Sequence, residues 1–142
     1  MKQIIGRTDI VDFPELGMED IRAKVDTGAR TSAIHANRIR IVEKDGEQLL
    51  KCSVLHSRKV FTFKEFDKRK VKSSNGHIEE RFLVKTKVII FGKSFKTEFT
   101  LATRKDMTFP VLLGRRLIRN RFIVDVSQKD LSYMLKQTPS KR

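Results

Sequence analysis

The stretch from Ala23 to Ala33 reads AKVDTGARTSA and decides the fold. It alternates apolar and polar residues, as a half-buried strand does, and it delivers Asp26 directly into a turn. A second stretch, Pro110–Ile118, reads PVLLGRRLI and takes apolar residues into Gly114 and then into a short helix. An isolated Asp-x-Gly is ordinary turn chemistry. A strand-borne DTGA followed much later by apolar-apolar-Gly-Arg and a helical turn is far more specific.

The rest of the chain has a residue pattern typical of β-strands. Short segments rich in Val, Ile, Phe and Thr recur between turn residues, with hairpin turns predicted at Asp45-Gly46 and near Gly92-Lys93. Helix is predicted only for Arg115–Asn120 and after Gln128. The expected fold is all-β, a small closed barrel or sandwich. The predicted strands are Ile21–Val25, Arg38–Val42, Gln48–Leu55, Val60–Phe63, Arg81–Phe91, Ser94–Leu101, Phe109–Leu113 and Ile123–Val126.

Length and composition limit the possible classes of protein. The 142 residues suit one domain, predicted over residues 1–137 with a flexible tail at 138–142. The single cysteine, Cys52, excludes an intramolecular disulfide framework. Apolar runs are far shorter than the roughly 20 residues of a membrane span, and a charge at Arg7 leaves no room for a signal peptide. We therefore expect a cytoplasmic protein with no membrane partner.

The positive charge is large and uneven. Lys and Arg total 31 and Asp and Glu total 17, which gives a net charge of +14. Residues 9–22 carry −4, whereas residues 56–73 carry seven basic and two acidic side chains, or +5. Such a field attracts anions: nucleic acid, an anionic membrane surface or an acidic polypeptide. It also keeps a protein soluble without any such partner.

Other chemistries find little support in the residues. The histidines His35, His56 and His77 lack the spacing of a zinc protease, and no GxSxG or phosphate-binding glycine loop is present. Cys52 lies in a predicted strand, where a buried thiol is the usual explanation. His35 fits either core packing or the lining of a cleft. No metal and no cofactor are predicted. No stacking-aromatic motif accompanies the charge, so nucleic acid is expected only as a weak electrostatic contact.

The chain resembles a known family over nearly its whole length. The paired DTGA and LLGR motifs are the two signatures of retropepsin-type aspartic proteases. The longer pattern is similar to small bacterial and archaeal retropepsin-like proteins that carry the label ATP-dependent zinc protease. Family members are commonly encoded beside an ATP-grasp ligase that adds glutamates to a ribosomal protein. The matching motifs are Ile5-Gly6-Arg7, Leu16-Gly17, Ala23–Ala33, Val71–Arg81 and Leu112–Arg115.

The resemblance implies a homodimeric aspartic peptidase of the retropepsin barrel type, with one short helix after the late LLGR motif. Its catalytic residues would be Asp26, Thr27 and Gly28. An aspartic protease needs two adjacent carboxylates, one ionised and one protonated, and this chain has one DTG. Two chains would therefore meet on a two-fold axis, with Thr27 bracing the loops and Gly28 allowing close backbone approach.

The resemblance also implies a hairpin flap over the site, for which the candidate is Lys68–Arg81. Cations there, together with Arg30, would form a cleft suited to an acidic peptide such as a glutamate-extended tail. Viral relatives follow DTGA with an acidic residue, which Arg30 replaces, so Arg115 is expected to pair with Asp125 or Asp26. The flap cations are Lys70, Lys72, His77 and Arg81, and the predicted substrate-binding residues are Ala29, Arg30, Ser73, Ser74, Asn75, Gly76, His77, Arg81 and Arg115.

A second hypothesis fits the same residues. The chain could be a catalytically silent module that grips an acidic tail or sits on the ribosome. The hypotheses differ at Asp26, because an enzyme needs a proton shared between two Asp26 carboxylates and a binder does not. Arg30 favours the binder slightly, since a nearby cation favours ionisation of both carboxylates.

Overall fold

A computed structural model describes residues 2–72, 75–104 and 108–138, and the chain is mostly β. The all-β prediction is confirmed, and both predicted helices are present. Of the predicted tail at 138–142, residues 139–142 lie outside the described residues. The described elements, in chain order, are β1 (Gln3–Ile5), β2 (Thr8–Phe13), a 3-10 turn (Pro14–Leu16), β3 (Met18–Val25), β4 (Ser32–Lys44), β5 (Glu47–Val54), β6 (Phe61–Phe63), β7 (Asp67–Lys72), β8 (Ile78–Ile90), β9 (Lys93–Ala102), β10 (Val111–Leu113), α1 (Arg115–Ile118), β11 (Phe122–Val124) and α2 (Leu131–Gln137).

Six strands close into a ring. The hydrogen-bonded order runs β10, β3, β2, β8, β9 and β4, and β10 also pairs with β4. The short β10 is therefore held on both sides, parallel to β3 and antiparallel to β4. Strands β5 and β6 extend the sheet beyond β4, and β7 forms a hairpin with β8. Separately, β1 pairs in parallel with β11.

The apolar faces of the ring strands form the core. Phe13 and Phe99 are fully buried and meet edge to face, with ring centroids 5.5 Å apart. Val111 and Leu113 of β10 and Leu117 of α1 are also fully buried. Because burial of such side chains contributes about 1.5–3 kcal/mol each, β10 and α1 are anchored firmly in the core.

Two hairpin turns follow the predicted chemistry, one of them shifted. Asp45 and Gly46 both have positive φ, at 54° and 80°, as a two-residue type I′ hairpin requires. The β8–β9 turn uses Phe91 and Gly92, with φ of 53° and 71°, rather than Gly92 and Lys93. Pairing of Ile90 with Lys93 makes Lys93 the first residue of β9, which explains the shift by one position.

Strands β1 and β2 were not predicted, and β7 was predicted only as part of the candidate hairpin flap Lys68–Arg81. Strand β2 alternates buried and half-buried positions, but its charged residue Asp9 lies on the buried side. Strand β7 reads DKRKVK, and its charges obscure a pattern that only pairing with β8 reveals. Among the described residues, no helix has both the length and the apolar composition needed to cross a membrane.

Candidate active site

Asp26 lies directly beyond the end of β3, beside β10. Val25 is in register with Leu113, and the next amide along, that of Asp26, donates to the Leu113 carbonyl at 2.9 Å. Parallel pairing thus places the DTGA loop next to the chain that enters Gly114. The two motifs that identify the fold in the sequence are neighbours in space.

The loop after Asp26 orients its carboxylate. The Gly28 amide donates to Asp26 Oδ1 at 3.0 Å, and the Ala29 amide donates to the Asp26 carbonyl at 3.2 Å. Asp26 is partly buried, whereas Thr27 and Gly28 are exposed. The carboxylate is therefore held from behind by the backbone, while the tip of the loop faces outward.

The start of α1 fastens the same loop from the other side. The Arg115 amide donates to the Ala29 carbonyl at 2.8 Å, and the Arg116 amide donates to the Arg30 carbonyl at 3.0 Å. The Gly114 amide donates to Ser32 Oγ at 3.0 Å in a buried position. Amide groups at a helix start lack partners within the helix, so these contacts satisfy them and fix the loop together.

Close backbone approach occurs at Gly114 rather than at Gly28. A Cβ on Gly114 would lie 2.6 Å from the carbonyl carbon of Thr31 and 2.9 Å from the amide nitrogen of Ser32. A Cβ on Gly28 would meet only Asp26 Oδ1, at 3.3 Å. Within this chain the close backbone approach is therefore at the late glycine, because β10 is inserted between β3 and β4, and the role predicted for Gly28 between two chains stays a prediction.

Arg115 has a different partner from either one expected. Its Nη1 donates to the Thr27 carbonyl at 3.0 Å, which adds a further tie across the DTGA loop. Asp125 instead accepts from the Ser127 amide at 3.0 Å and from the Ser127 hydroxyl at 2.6 Å. These bonds favour the ionised carboxylate and lower the pKa of Asp125.

The β7–β8 hairpin contacts the DTGA segment through a residue that the sequence analysis did not select. Arg69 Nη1 donates to Thr31 Oγ1 at 3.1 Å. Arg69 is in register with Arg81, whose guanidinium also lies 3.3 Å from Glu79 Oε2. Alternation along β7 puts Lys70 and Lys72 on the opposite face of the hairpin. Of the hairpin cations, Arg69 contacts the DTGA segment, and Arg81 is its cross-strand neighbour.

The tip of the hairpin is only partly described. Ser73 and Ser74, both predicted to bind substrate, lie outside the described residues. Asn75, Gly76 and His77 are exposed, and Gly76 has a φ of 86°, as expected at a turn. Arg30 and Arg115 are exposed as well, on the DTGA side.

The histidines and the cysteine do not form a metal site in the described part of the chain, where no group of three or more metal-ligating side chains occurs. Cys52 is fully buried, and burial raises the pKa of its thiol to about 11. His35 is buried and accepts a hydrogen bond at Nδ1 from the Arg104 amide at 3.0 Å. It lies beyond the far end of β10 from Asp26, so it does not line the cleft.

Residues 4–133 match the family described as RimB-like, retropepsin-like aspartic endopeptidase RimB. The chain belongs to this family. The retropepsin-type fold predicted from DTGA and LLGR is thereby confirmed, and the RimB-like match covers both motifs and the hairpin.

Curated relatives of this RimB-like chain carry a different name. A probable alpha-L-glutamate ligase from Shewanella halifaxensis is 39% identical over 133 residues, which are 89% of this chain and 29% of the relative. One from Desulfotalea psychrophila is 39% identical over 130 residues, 87% of this chain and 28% of that protein. The chain thus spans less than a third of the length of these relatives.

A solved structure shares the fold. The crystal structure of a Legionella pneumophila protein of unknown function superposes with a TM-score of 0.74 at 26% sequence identity. The match covers 93% of this chain and 99% of that one. The same arrangement of strands therefore occurs in a protein that is almost wholly made of this unit.

Proposed function

We propose that the chain is an aspartic endopeptidase that acts as a homodimer, in the cytoplasm, on an acidic segment of a protein substrate. The observation that supports this most directly is the Asp26 loop. Its carboxylate is oriented by the Gly28 amide, its backbone is fastened to α1, and its tip, Thr27, is exposed. A rigid carboxylate on an outward-facing loop is what a dyad across a two-fold axis requires.

In this proposal the reaction uses the two Asp26 carboxylates of a dimer. The ionised one takes a proton from water as the water oxygen attacks the peptide carbonyl carbon. The protonated one donates its proton to the developing oxyanion. Collapse of the tetrahedral intermediate breaks the C–N bond, and a proton passes to the leaving amine. Two adjacent carboxyl groups do not both ionise readily, because their negative charges repel each other, so the pair titrates as a unit.

The charge around the loop supports an acidic substrate. Arg69 approaches the site from the hairpin, Arg81 is its partner in register, and Arg30 is exposed two residues beyond Gly28. Guanidinium groups pair with carboxylates in bidentate geometry, so several of them favour a chain of acidic side chains. Ala29, Asn75, Gly76, His77 and Arg115 complete the proposed substrate-contacting set with Ser73 and Ser74.

The names of the relatives suggest the source of that acidic segment. Proteins named probable alpha-L-glutamate ligase contain a region 39% identical to this chain. A ligase of that kind adds glutamates, and a peptidase beside it can remove them. We therefore include in the proposal a functional link to an ATP-grasp ligase and a glutamate-extended ribosomal protein as the substrate.

The test compares Asp26→Asn with Asp45→Asn. Both substitutions remove one carboxylate, but Asp45 lies at an exposed hairpin turn with φ of 54°, a conformation that Asn tolerates well. Each variant is incubated with a protein that ends in a run of glutamates, and products are followed by mass spectrometry. We expect cleavage to be abolished in Asp26→Asn and unchanged in Asp45→Asn. Equal cleavage by both would exclude the mechanism.

Assembly is tested separately by light scattering over a concentration series at two salt levels. A mass twice the 16.5 kDa of the chain is expected at the concentrations that support cleavage. If the chain is a monomer at tens of micromolar, each molecule has only one of the two Asp26 carboxylates that the mechanism needs. That result would favour the second candidate, the silent binding module for an acidic tail or the ribosome, which the exposed cation at Arg30 supports. That module would bind a glutamate tail equally well with Asn at position 26.

A further inference from the structure

A second cationic pocket lies away from Asp26. It has a volume of about 400 Å³ and is formed where the β4–β5 pair meets the segment after β9. Three arginines and two histidines contribute to its lining, together with a buried serine. These residues are Arg38, Arg58, Arg104, His35, His56 and Ser53.

Among the described residues, no acidic side chain lines this pocket. Within the described part of the chain, neither Arg38 nor Arg58 forms an ion pair, and both are exposed. Arg104 uses Nε to donate to the Phe109 carbonyl at 3.1 Å, which holds its guanidinium in place. The described lining residues therefore concentrate positive charge in this pocket.

The neighbouring cations act on His35. Burial lowers the pKa of His35, and the positive charges of His56 and Arg104 lower it further. Neutral imidazole is also what the geometry requires, because His35 Nδ1 accepts the Arg104 amide. His35 is thus neutral and accepts the Arg104 amide, while the guanidinium groups of Arg38 and Arg58 have no ion-pair partner among the described residues.

A buried hydroxyl also lies in the wall of this pocket. Ser53 is 4% exposed, and its Oγ has no hydrogen-bond partner among the residues that the structure describes. Buried polar atoms are nearly always hydrogen-bonded, so Ser53 is an exception among the described residues, and it lies in the wall of this pocket.

The backbone directs Arg38 toward this place. Pairing between β4 and β5 shifts register between Asn37 and Arg40, and Arg38 within the bulge has a φ of 54°. Leu55, also in the lining, has a φ of 57°. Bulges reorient a side chain relative to the regular alternation of a strand. Here the bulge lies at the edge of the pocket.

The pocket and the candidate active site lie at opposite ends of β10. The His35 amide donates to the Pro110 carbonyl at 2.8 Å, and the Asp26 amide donates to that of Leu113 at 2.9 Å. Three residues of strand span about 10 Å. Because β10 is buried, a peptide that contacts both ends has to pass over the surface and to span more than this distance.

We propose that this pocket binds carboxylate side chains of an acidic peptide and forms a second anchoring site for the substrate, an inference that rests on the proposed function. Arginines from three separate segments suit several carboxylates spread along one chain better than a single small ion. No Phe or Tyr ring lines the pocket to stack on a base, so an acidic peptide fits it better than RNA.

The test measures binding without catalysis. In an Asp26→Asn background, the affinity for a fluorescent hexaglutamate peptide is compared between Arg38→Gln/Arg58→Gln and Lys44→Gln/Lys93→Gln. Both pairs remove two exposed positive charges, but the control lysines lie at hairpin ends outside the pocket. We expect Kd to rise about tenfold or more for the arginine pair and less than about twofold for the lysine pair.

Equal weakening by both pairs would overturn the proposal, because only net charge would then matter. It would also be overturned if an oligouridylate displaced the peptide at the same concentration as unlabelled hexaglutamate. Thermal unfolding of each variant checks the fold. Failure of the proposed function shows itself differently: the peptide binds the pocket normally, but the protein with Asp26 intact cleaves no acidic substrate.

Discussion

A Cβ atom placed on Gly114 would lie 2.6 Å from the carbonyl carbon of Thr31, so the backbones of these two residues are in direct contact. The contact joins the end of β10 to the DTGA segment, and the neighbouring Ser32 hydroxyl accepts the Gly114 amide at 3.0 Å. Both motifs of the candidate site are therefore one packed unit. The packing of this unit depends on the absence of a side chain at Gly114.

Gly114→Ala is expected to lower the free energy of unfolding by about 1–3 kcal/mol, because the added methyl group meets fixed backbone rather than a movable side chain. Urea unfolding measures the change. Gly28→Ala is the control, since its Cβ would meet only Asp26 Oδ1, at 3.3 Å. If both variants lost equal stability, the close approach at Gly114 would not be what demands glycine.

Arg69→Gln is expected to raise KM for an acidic peptide about five- to tenfold, because a charge-assisted contact of about 1–1.5 kcal/mol is lost beside the site. Lys70→Gln removes the same charge from the opposite face of the hairpin. It should change KM less than twofold. Steady-state kinetics on acidic and neutral peptides distinguish the two. A neutral peptide affected as strongly as an acidic one would assign Arg69 a structural role.

His35 makes stability depend on pH. Its pKa in the folded chain lies below the ordinary value of 6.5, so the unfolded chain takes up the proton first as pH falls. The stability of the neutral state is present above about pH 6.5 and is lost progressively as pH falls toward the lowered pKa. His35→Asn keeps an acceptor for the Arg104 amide but does not titrate. Unfolding free energies at pH 7.5 and 5.5 should therefore differ less in this variant, and an identical pH dependence would contradict the assignment.

Cys52 should resist alkylation while the chain is folded. With a pKa of about 11, roughly one thiol in a thousand is ionised at pH 8, and the side chain is fully buried. Iodoacetamide labelling followed by mass spectrometry should be slow in buffer and fast in urea. Rapid labelling of the folded chain would indicate that the strands around β5 open readily.

The sequence predicts the part of the site that depends on local pattern. Alternation in Ala23–Val25 and the apolar run before Gly114 predict two strands, and the proposed role of Asp26 comes from the resemblance of the DTGA and LLGR motifs to those of retropepsins. The predicted partners of Arg115 were wrong. Its observed partner is a backbone carbonyl, and because every residue has one, the residue types do not indicate which carbonyl it is. Arg69 was missed, although its pairing with Arg81 across the hairpin could have indicated it.

The second pocket was not predictable at all. Its wall combines His35, Arg38, Ser53, Arg58 and Arg104, which come together only through pairing of β4 with both β5 and β9. A register shift at Asn37–Arg40 changes which side chains share a face, and single-sequence periodicity does not reveal such a shift.

The parallel pairing of β1 with β11 has a consequence for synthesis of the protein. The first strand cannot pair until β11 has been synthesised much later in the chain, and Asp26 likewise cannot form its contact until Leu113 has been synthesised. Long-range pairing of this kind is slow to form. Until Leu113 has been synthesised, a nascent chain therefore carries the DTGA sequence without the backbone contact that holds Asp26 beside β10, and the proposed pair of carboxylates cannot form.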